Sequence, residues 1–290
     1  MKVKKPIEPI KQVAKSAERF YRVATSSVRL MPDFIIIGVA RGGTTSLYEY
    51  LIDHPNIVGA SRKEIHFFDN QYQKGLKWYR GQFPYSMQKY YAEHVQKKDF
   101  VTGEASPYYI FHPHAARRLK KALPNVKMIV LFRNPIERAF SHYCWEVGWG
   151  DEKLSFEEAI EREQERISVP EQELAQRYSF NHQHYSYLAR GLYADQLEKW
   201  FSLFPREQFL LLKSEDMYKD AASIYKQTLE FLNVPYSDSK ALKTEFKQYN
   251  KPKYTPPKKM DPELRKRLVD YFEPHNQRLY KLVGRDFGWE

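Results

Sequence analysis

Between Phe34 and Leu47 the chain reads Phe-Ile-Ile-Ile-Gly-Val-Ala-Arg-Gly-Gly-Thr-Thr-Ser-Leu, an apolar run that passes through a Gly-rich turn into helix-favouring residues. Gly38 and Gly43 stand five apart with Thr44 and Thr45 following, the spacing of a loop whose backbone N–H groups wrap a phosphate. Thr44 holds the position that such loops give to lysine. An anion there would sit at a helix N-terminus, with Gly42 and Gly43 letting the backbone turn inward and two hydroxyls adding donors. The missing lysine, and the lack of an aspartate placed to hold Mg²⁺, argue against ATP or GTP hydrolysis. Arg41 instead offers a charged fork for the bridging oxygen of a leaving group. A Gly-rich strand-to-helix turn without a ligand is the plainer alternative.

A second stretch, VLFRNPIERAFSHY from Val130 to Tyr143, sets Arg133 at the carboxyl end of an apolar run, the edge where open parallel sheets bind ligands. Ser141 follows about two turns along the next helix. Alone, Arg133 is an ordinary strand-end charge. Taken with the first loop, Arg133 and Ser141 become candidates for a second phosphate on one nucleotide. A nucleotide kinase is a near rival, against which the absent loop lysine counts.

These two motifs, in this order, resemble those of the sulfotransferases that use 3′-phosphoadenosine 5′-phosphosulfate, PAPS. The likeness runs over almost the whole chain from Phe34 and is nearest to the heparan sulfate sulfotransferases and their bacterial relatives. HPNIVGASRKEIHFFDN, YADQLEKWFSLFP and LYKLVGRDFGW look like segments of that group. The resemblance implies an α/β, P-loop-like fold with a central parallel sheet flanked by helices, and transfer of a sulfuryl group from PAPS to a hydroxyl or amine without a metal. It implies Arg41, Gly42, Gly43, Thr44 and Thr45 on the 5′-phosphosulfate, and Arg133 and Ser141 on the 3′-phosphate. It also implies that Lys251 and Lys253 lie in a basic loop closing over the nucleotide. The acceptor, whether glycan, lipid or small alcohol, stays open.

Sulfuryl transfer needs an acceptor made nucleophilic and a stabilised leaving phosphate. In Lys63-Glu64-Ile65-His66-Phe67-Phe68-Asp69, alternation along an extended piece would put Glu64 and His66 on one face. A carboxylate serves as base if a dry pocket raises its pKa, and an imidazole needs no such shift. In the glycan-acting relatives the residue matching Glu64 is the base, which favours Glu64 over His66. Arg41 stands where many members carry Lys, and as a poor proton donor it would act by charge and hydrogen bonding. Ala105 follows Glu104 where the heparan sulfate group has Lys. The cystine hairpin of the secreted relatives is absent, since Cys144 is the one cysteine.

The elements that must hold these residues read as alternating strand and helix. Strands are expected at Phe34 to Ile37, Phe100 to Gly103, Val126 to Phe132 and Phe209 to Leu212. Helices are expected from Thr44 through Ile52, Pro113 to Ala122, from Asn134-Pro135 onward, over 154–166 and 171–178, Tyr185 to Phe204, Ala221 to Leu232 and Pro262 to Val283. The stretch from Lys251 to Lys259 reads as a loop. Residues 1–30 form a basic arm with Val13, Phe20 and Val23 as anchors, and 31–290 a single domain.

Composition supports a folded, soluble globular chain. With 290 residues, 42% of them apolar, 16% aromatic, and only 12 Gly and 17 Pro, the chain is neither disordered nor collagen-like. The longest apolar run, Phe34 to Ala40, is too short to span a membrane, and no secretory leader is evident, which leads to an expected cytoplasmic location. Of the net charge of +11, residues 1–30 and 240–290 each carry +6, so both ends suit a polyanionic partner. A basic protein that binds nucleic acid or acidic membranes is therefore the alternative class. The motifs favour a nucleotide over nucleic acid, and leave peripheral membrane contact through residues 1–30 beside a merely solvated helix. His112 with His114 and His182 with His184 read as surface histidines rather than metal ligands. Trp145 and Trp149 read equally as core or as lining of an acceptor pocket.

Overall fold

The computed structural model describes residues 8–236, 246–247, 249 and 260–289. Five strands, β1 (Phe34–Gly38), β2 (Ile57–Gly59), β3 (Val101–Ala105), β4 (Lys127–Phe132) and β5 (Phe209–Lys213), form one parallel sheet in the order β2-β3-β1-β4-β5. β1 is central, with Phe34 level with Gly103 on one side and Lys127 on the other. Both faces of β1 are covered, as a continuous apolar run in a parallel sheet requires. Ile35 and Ile37 face a core cluster containing Phe67, Tyr79 and Trp200, and Phe34 and Ile36 face another containing Leu47, Tyr225 and Leu229.

The helices that bear on the site are α1 (Glu8–Ala24), α2 (Thr44–Ile52), α3 (Gly75–Arg80), α4 (Ser86–His94), α5 (Ala115–Ala122) and α6 (Pro135–Trp149). Gly43 caps α2 at φ +89°, a left-handed conformation that glycine adopts freely. Asn134 caps α6, its side-chain oxygen accepting from the N–H groups of Ile136 and Glu137 at 3.0 and 3.3 Å, with Pro135 in the first turn. The final helix, Pro262–Val283, starts at the Asp261 cap, ends at Gly284 and packs on the helix Tyr193–Phe201 and on α6. Past it, Phe287 and Trp289 stack at 4.7 Å in the core.

Several expectations shift. The strand β2 is only three residues long and carries no alternation to betray it. The expected helix from Tyr185 to Phe204 is a 3₁₀ turn, Ala189–Gly191, followed by the helix Tyr193–Phe201. Gly191 sits so close to Phe272 and Pro135 that a Cβ there would lie 2.7 Å from the Phe272 ring, and the chain bends at that contact. The polar stretch over 154–166 divides into Phe156–Glu161 and Glu163–Ile167, and 171–178 shortens to Glu171–Leu174. In α1, Val13 and Phe20 are exposed and anchor nothing, whereas Val23 is half-buried against the core. No described helix is long and apolar enough to cross a membrane.

Candidate active site

The carboxyl ends of β1, β3 and β4 open into a cleft of about 390 Å³, at the edge where parallel sheets leave backbone and helix N-termini free for ligands. The turn after β1 brings Arg41, Gly43, Thr44 and Thr45 to its floor, and the turn after β4 brings Arg133, with Ser141 one helix face further on. Arg133 Nη1 donates to the carbonyl of Arg41 at 3.0 Å, and Arg41 Nε donates to Ser141 Oγ at 3.3 Å. The two motifs, about ninety residues apart in sequence, are thereby one surface. The Arg41 guanidinium also lies over the Trp145 ring, 4.5 Å from its centroid. Burial, then the neighbouring Arg133, push Arg41 down to about 10, which leaves it charged at neutral pH. Gly42 does not line the cleft. Its role is closeness, because a Cβ there would run into the Leu131 carbonyl, and Ser214 donates to the Gly42 carbonyl to hold the turn.

Glu64 faces the same cleft. Lys63 Nζ donates to Thr45 Oγ1 at 3.0 Å and to Glu64 Oε1 at 3.1 Å, so one ammonium joins the anion loop to the carboxylate. The second oxygen of Glu64 is 3.0 Å from His66 Nε2, and His66 Nδ1 is 2.7 Å from Oδ2 of the buried Asp69. Glu64 and His66 do meet, but not by strand alternation: the segment is irregular and His66 has φ +55°. Burial pushes Glu64 up, but Lys63 and His66 together outweigh it and hold the carboxyl near 2. Burial pushes His66 down, but Asp69 and Glu64 outweigh it and raise the imidazole to about 10. His66 is therefore a cation behind Glu64 rather than a second group on the cleft floor.

The backbone of this segment is held from β3. Glu104, fully buried, accepts from Tyr79, Tyr109 and Ser106 hydroxyls at 2.8, 3.1 and 2.7 Å. Ser106 Oγ and the Tyr109 hydroxyl in turn accept the N–H groups of Ile65, His66 and Phe67. Ala105 points into the apolar cluster under α2.

The opposite wall is built by Tyr108, Trp145, Glu146, His184 and Arg190. Burial opposes ionisation of Glu146, but hydrogen bonds from His142 Nε2 at 3.1 Å and His184 Nδ1 at 3.0 Å hold it near 2. Arg190 lies against the Tyr108 ring at 4.6 Å. Trp145 is thus cleft lining, and Trp149 is exposed, so neither is core. His112 and His182 are buried rather than on the surface, and burial lowers them to about 3 and about 4, so both are neutral near pH 7. Among the described residues no group of three or more His, Cys, Asp or Glu is placed to hold a metal.

Lys251 and Lys253 lie outside the described residues. Nearby, Tyr249 lines the cleft and its N–H donates to Ser46 Oγ at 3.0 Å. Reasoning from sequence passed over Lys63 and Asp69 as functional groups, although both stand in the same Lys-Glu-Ile-His-Phe-Phe-Asp run. It also passed over Tyr108, Glu146 and Arg190 and read His184 as a surface histidine, although all four line the cleft; no local spacing connects them.

Residues 31–276 match the family model of the sulfotransferase domain. The membrane-associated sulfotransferase kil1 of Dictyostelium discoideum is 28% identical, over 98% of this chain and 72% of its own length. The heparan sulfate glucosamine 3-O-sulfotransferase 6 of Homo sapiens is 30% identical, over 90% of this chain and 74% of its own. Among solved structures, a sulfotransferase from Alicyclobacillus acidocaldarius superposes with a TM-score of 0.64 at 31% identity, covering 89% of this chain and 98% of that one.

Proposed function

The chain belongs to the sulfotransferase family as a PAPS-dependent transferase of the EC 2.8.2 type, and from that premise we propose that it sulfates a hydroxyl of a glycan-type acceptor with Glu64 as the base. The observation that carries the reading is the Lys63 ammonium, bonded at once to Thr45 of the anion loop and to the Glu64 carboxylate. It sets the donor site and a proton acceptor side by side in one cleft.

The residues fit the donor. Arg41 and Arg133 converge closely enough for Arg133 to depress the proton affinity of Arg41, a repulsion that bound anionic groups relieve. When bound, PAPS supplies the sulfuryl group and a phosphate as leaving group. Arg41, Thr44 and Thr45 bind the 5′ end and Arg133 and Ser141 the 3′-phosphate. Arg41 remains protonated and offsets developing charge without giving up its proton.

The raised pKa expected of a carboxylate base is not found, since Lys63 and His66 hold Glu64 near 2; ionised throughout the neutral range, it takes the acceptor hydroxyl proton as the acceptor oxygen bonds to sulfur and the sulfur–phosphate oxygen bond breaks. His66, held cationic by Asp69, orients Glu64 from behind. A sugar suits the opposite wall, where Glu146, His184 and Arg190 offer polar atoms to its hydroxyls beside the Tyr108 and Trp145 rings, each already stacked by an arginine. The human relative is a heparan sulfate glucosamine 3-O-sulfotransferase, which supports the same acceptor class.

The test is transfer of labelled sulfuryl from PAPS to a panel of glycans, lipid alcohols and small alcohols. Glu64→Gln is expected to abolish turnover while adenosine 3′,5′-bisphosphate still binds. Full activity in that variant overturns Glu64 as the base. Transfer to the non-sugar alcohols alone overturns the acceptor class. Stabilisation by ATP with Mg²⁺ and not by adenosine 3′,5′-bisphosphate would overturn the donor.

A further inference from the structure

Helix α1 is amphipathic in the ordinary way but turned outward. Val13, Ala17, Phe20, Tyr21 and Ala24 fall on one side of the helix, and Lys15, Arg19 and Arg22 on another. Such a helix usually buries its apolar stripe on the body of the protein. Here Val13 is 69% exposed and Phe20 77%, with Ala17, Tyr21 and Ala24 exposed as well. The body is reached from a different side, where Arg22 Nη1 donates to the Gly81 carbonyl at 3.4 Å and Val23 packs on the core.

The exposed face does not end with the helix. The Tyr85 hydroxyl donates to that of Tyr21 at 2.6 Å, and Ser86 Oγ donates to the Val28 carbonyl at 3.0 Å, which joins α1 to α4. Val28 is exposed, and α4 presents Met87, Tyr90 and Tyr91 outward, Met87 being 70% exposed. Scattered exposed apolar side chains are ordinary, whereas a connected set of this extent marks a surface that something covers. Exposed Lys15 and Arg19 lie on the opposite side of the same helix, and Glu18 is already paired with Arg22 at 2.8 Å, so the polar side carries a positive surplus.

We infer that this face is the docking surface for an anionic phospholipid membrane, with α1 lying in the interface plane. Apolar and aromatic side chains on one side with basic residues on the polar side are the make-up of helices that lie in that plane. Charge decides the occupant. A second copy of the chain would cover the same apolar groups but would bring two segments of net charge +6 together, whereas an anionic bilayer neutralises them.

The experiment is co-sedimentation of the full chain with vesicles of phosphatidylcholine alone and of phosphatidylcholine mixed with phosphatidylserine. The chain is expected to sediment with the mixed vesicles, weakly or not at all with the neutral ones, and less as salt rises. The double substitution Val13→Asp, Phe20→Asp is expected to lower vesicle binding at least ~10-fold, because it removes apolar contact and adds repulsion. It should leave the Tm unchanged with and without adenosine 3′,5′-bisphosphate, since neither side chain is packed. Failure of the wild-type chain to bind mixed vesicles, equal binding to both kinds, or undiminished binding by the variant overturns the inference. A concentration-dependent dimer that the substitutions abolish, without vesicle binding, assigns the face to a second copy and also overturns it.

Discussion

Ser106 Oγ donates to Oε2 of Glu104 at 2.7 Å and itself accepts the backbone N–H groups of Ile65 and His66 at 3.1 and 3.2 Å. A strand end thus grips the two peptide groups that follow Glu64. The carboxylate proposed as base owes its position to a residue that never touches the cleft. Ser106→Ala removes that oxygen and leaves two N–H groups and one buried carboxyl oxygen short of a partner, at a cost of about 1–3 kcal/mol. The expected outcome is a lower Tm and a kcat that falls more than the affinity for adenosine 3′,5′-bisphosphate. Unchanged kcat with the same loss of Tm would make Ser106 purely structural.

Lys63 should govern the acid side of the pH profile. Burial raises Glu64 and the Lys63 ammonium is the largest influence lowering it, so Lys63→Met is expected to raise its pKa. A base must be ionised to act, and the acid limb of kcat/KM against pH should therefore move to higher pH. A limb that stays in place would mean that Glu64 is not the group titrating.

Arg133→Ala should act on the nucleotide. Loss of one charge-assisted contact, worth about 1.5–3 kcal/mol, corresponds to roughly 10- to 100-fold weaker binding of adenosine 3′,5′-bisphosphate by calorimetry. Adenosine 5′-phosphate, which lacks the 3′ group, should lose much less. Equal losses for both would detach Arg133 from the 3′-phosphate.

His66 makes a pH-dependent contribution to stability whose sign follows from its raised pKa. With a folded value of about 10 against about 6.5 for a free imidazole, the protonated ring is favoured by folding. Its contribution is full below about 6.5 and is lost as pH rises toward about 10. The Tm gap between the wild-type protein and His66→Gln should narrow over that window. A constant gap would show that packing alone sets it.

Much of the site could be read from residue order, because short-range spacing encodes a phosphate loop. Gly38, Gly43 and the two threonines lie in one turn, and Arg133 follows a contiguous apolar strand, so both motifs announce the sheet edge that holds them. Other parts depend on long-range geometry. The face shared by Glu64 and His66 comes from a left-handed residue, not from alternation. Tyr108, Glu146, His184 and Arg190 converge only once the sheet and its helical excursions pack. Periodicity showed that α1 has two sides, but it is indifferent to which side docks, and Val13 and Phe20 turn out to face outward.

The cleft has two origins, and this bears on how such a protein can change. Donor loop, Lys63 and Glu64 are bound to strand ends and to one another, so an alteration in any of them disturbs the rest. His184 and Arg190 come from the excursion between α6 and the helix Tyr193–Phe201, outside the sheet. The exposed positions of that excursion can accumulate substitutions, or be randomised in a library, with less effect on the transfer machinery than changes in the donor loop. On the proposed reading, in which this wall takes the acceptor, acceptor range is the trait most open to drift and to directed evolution.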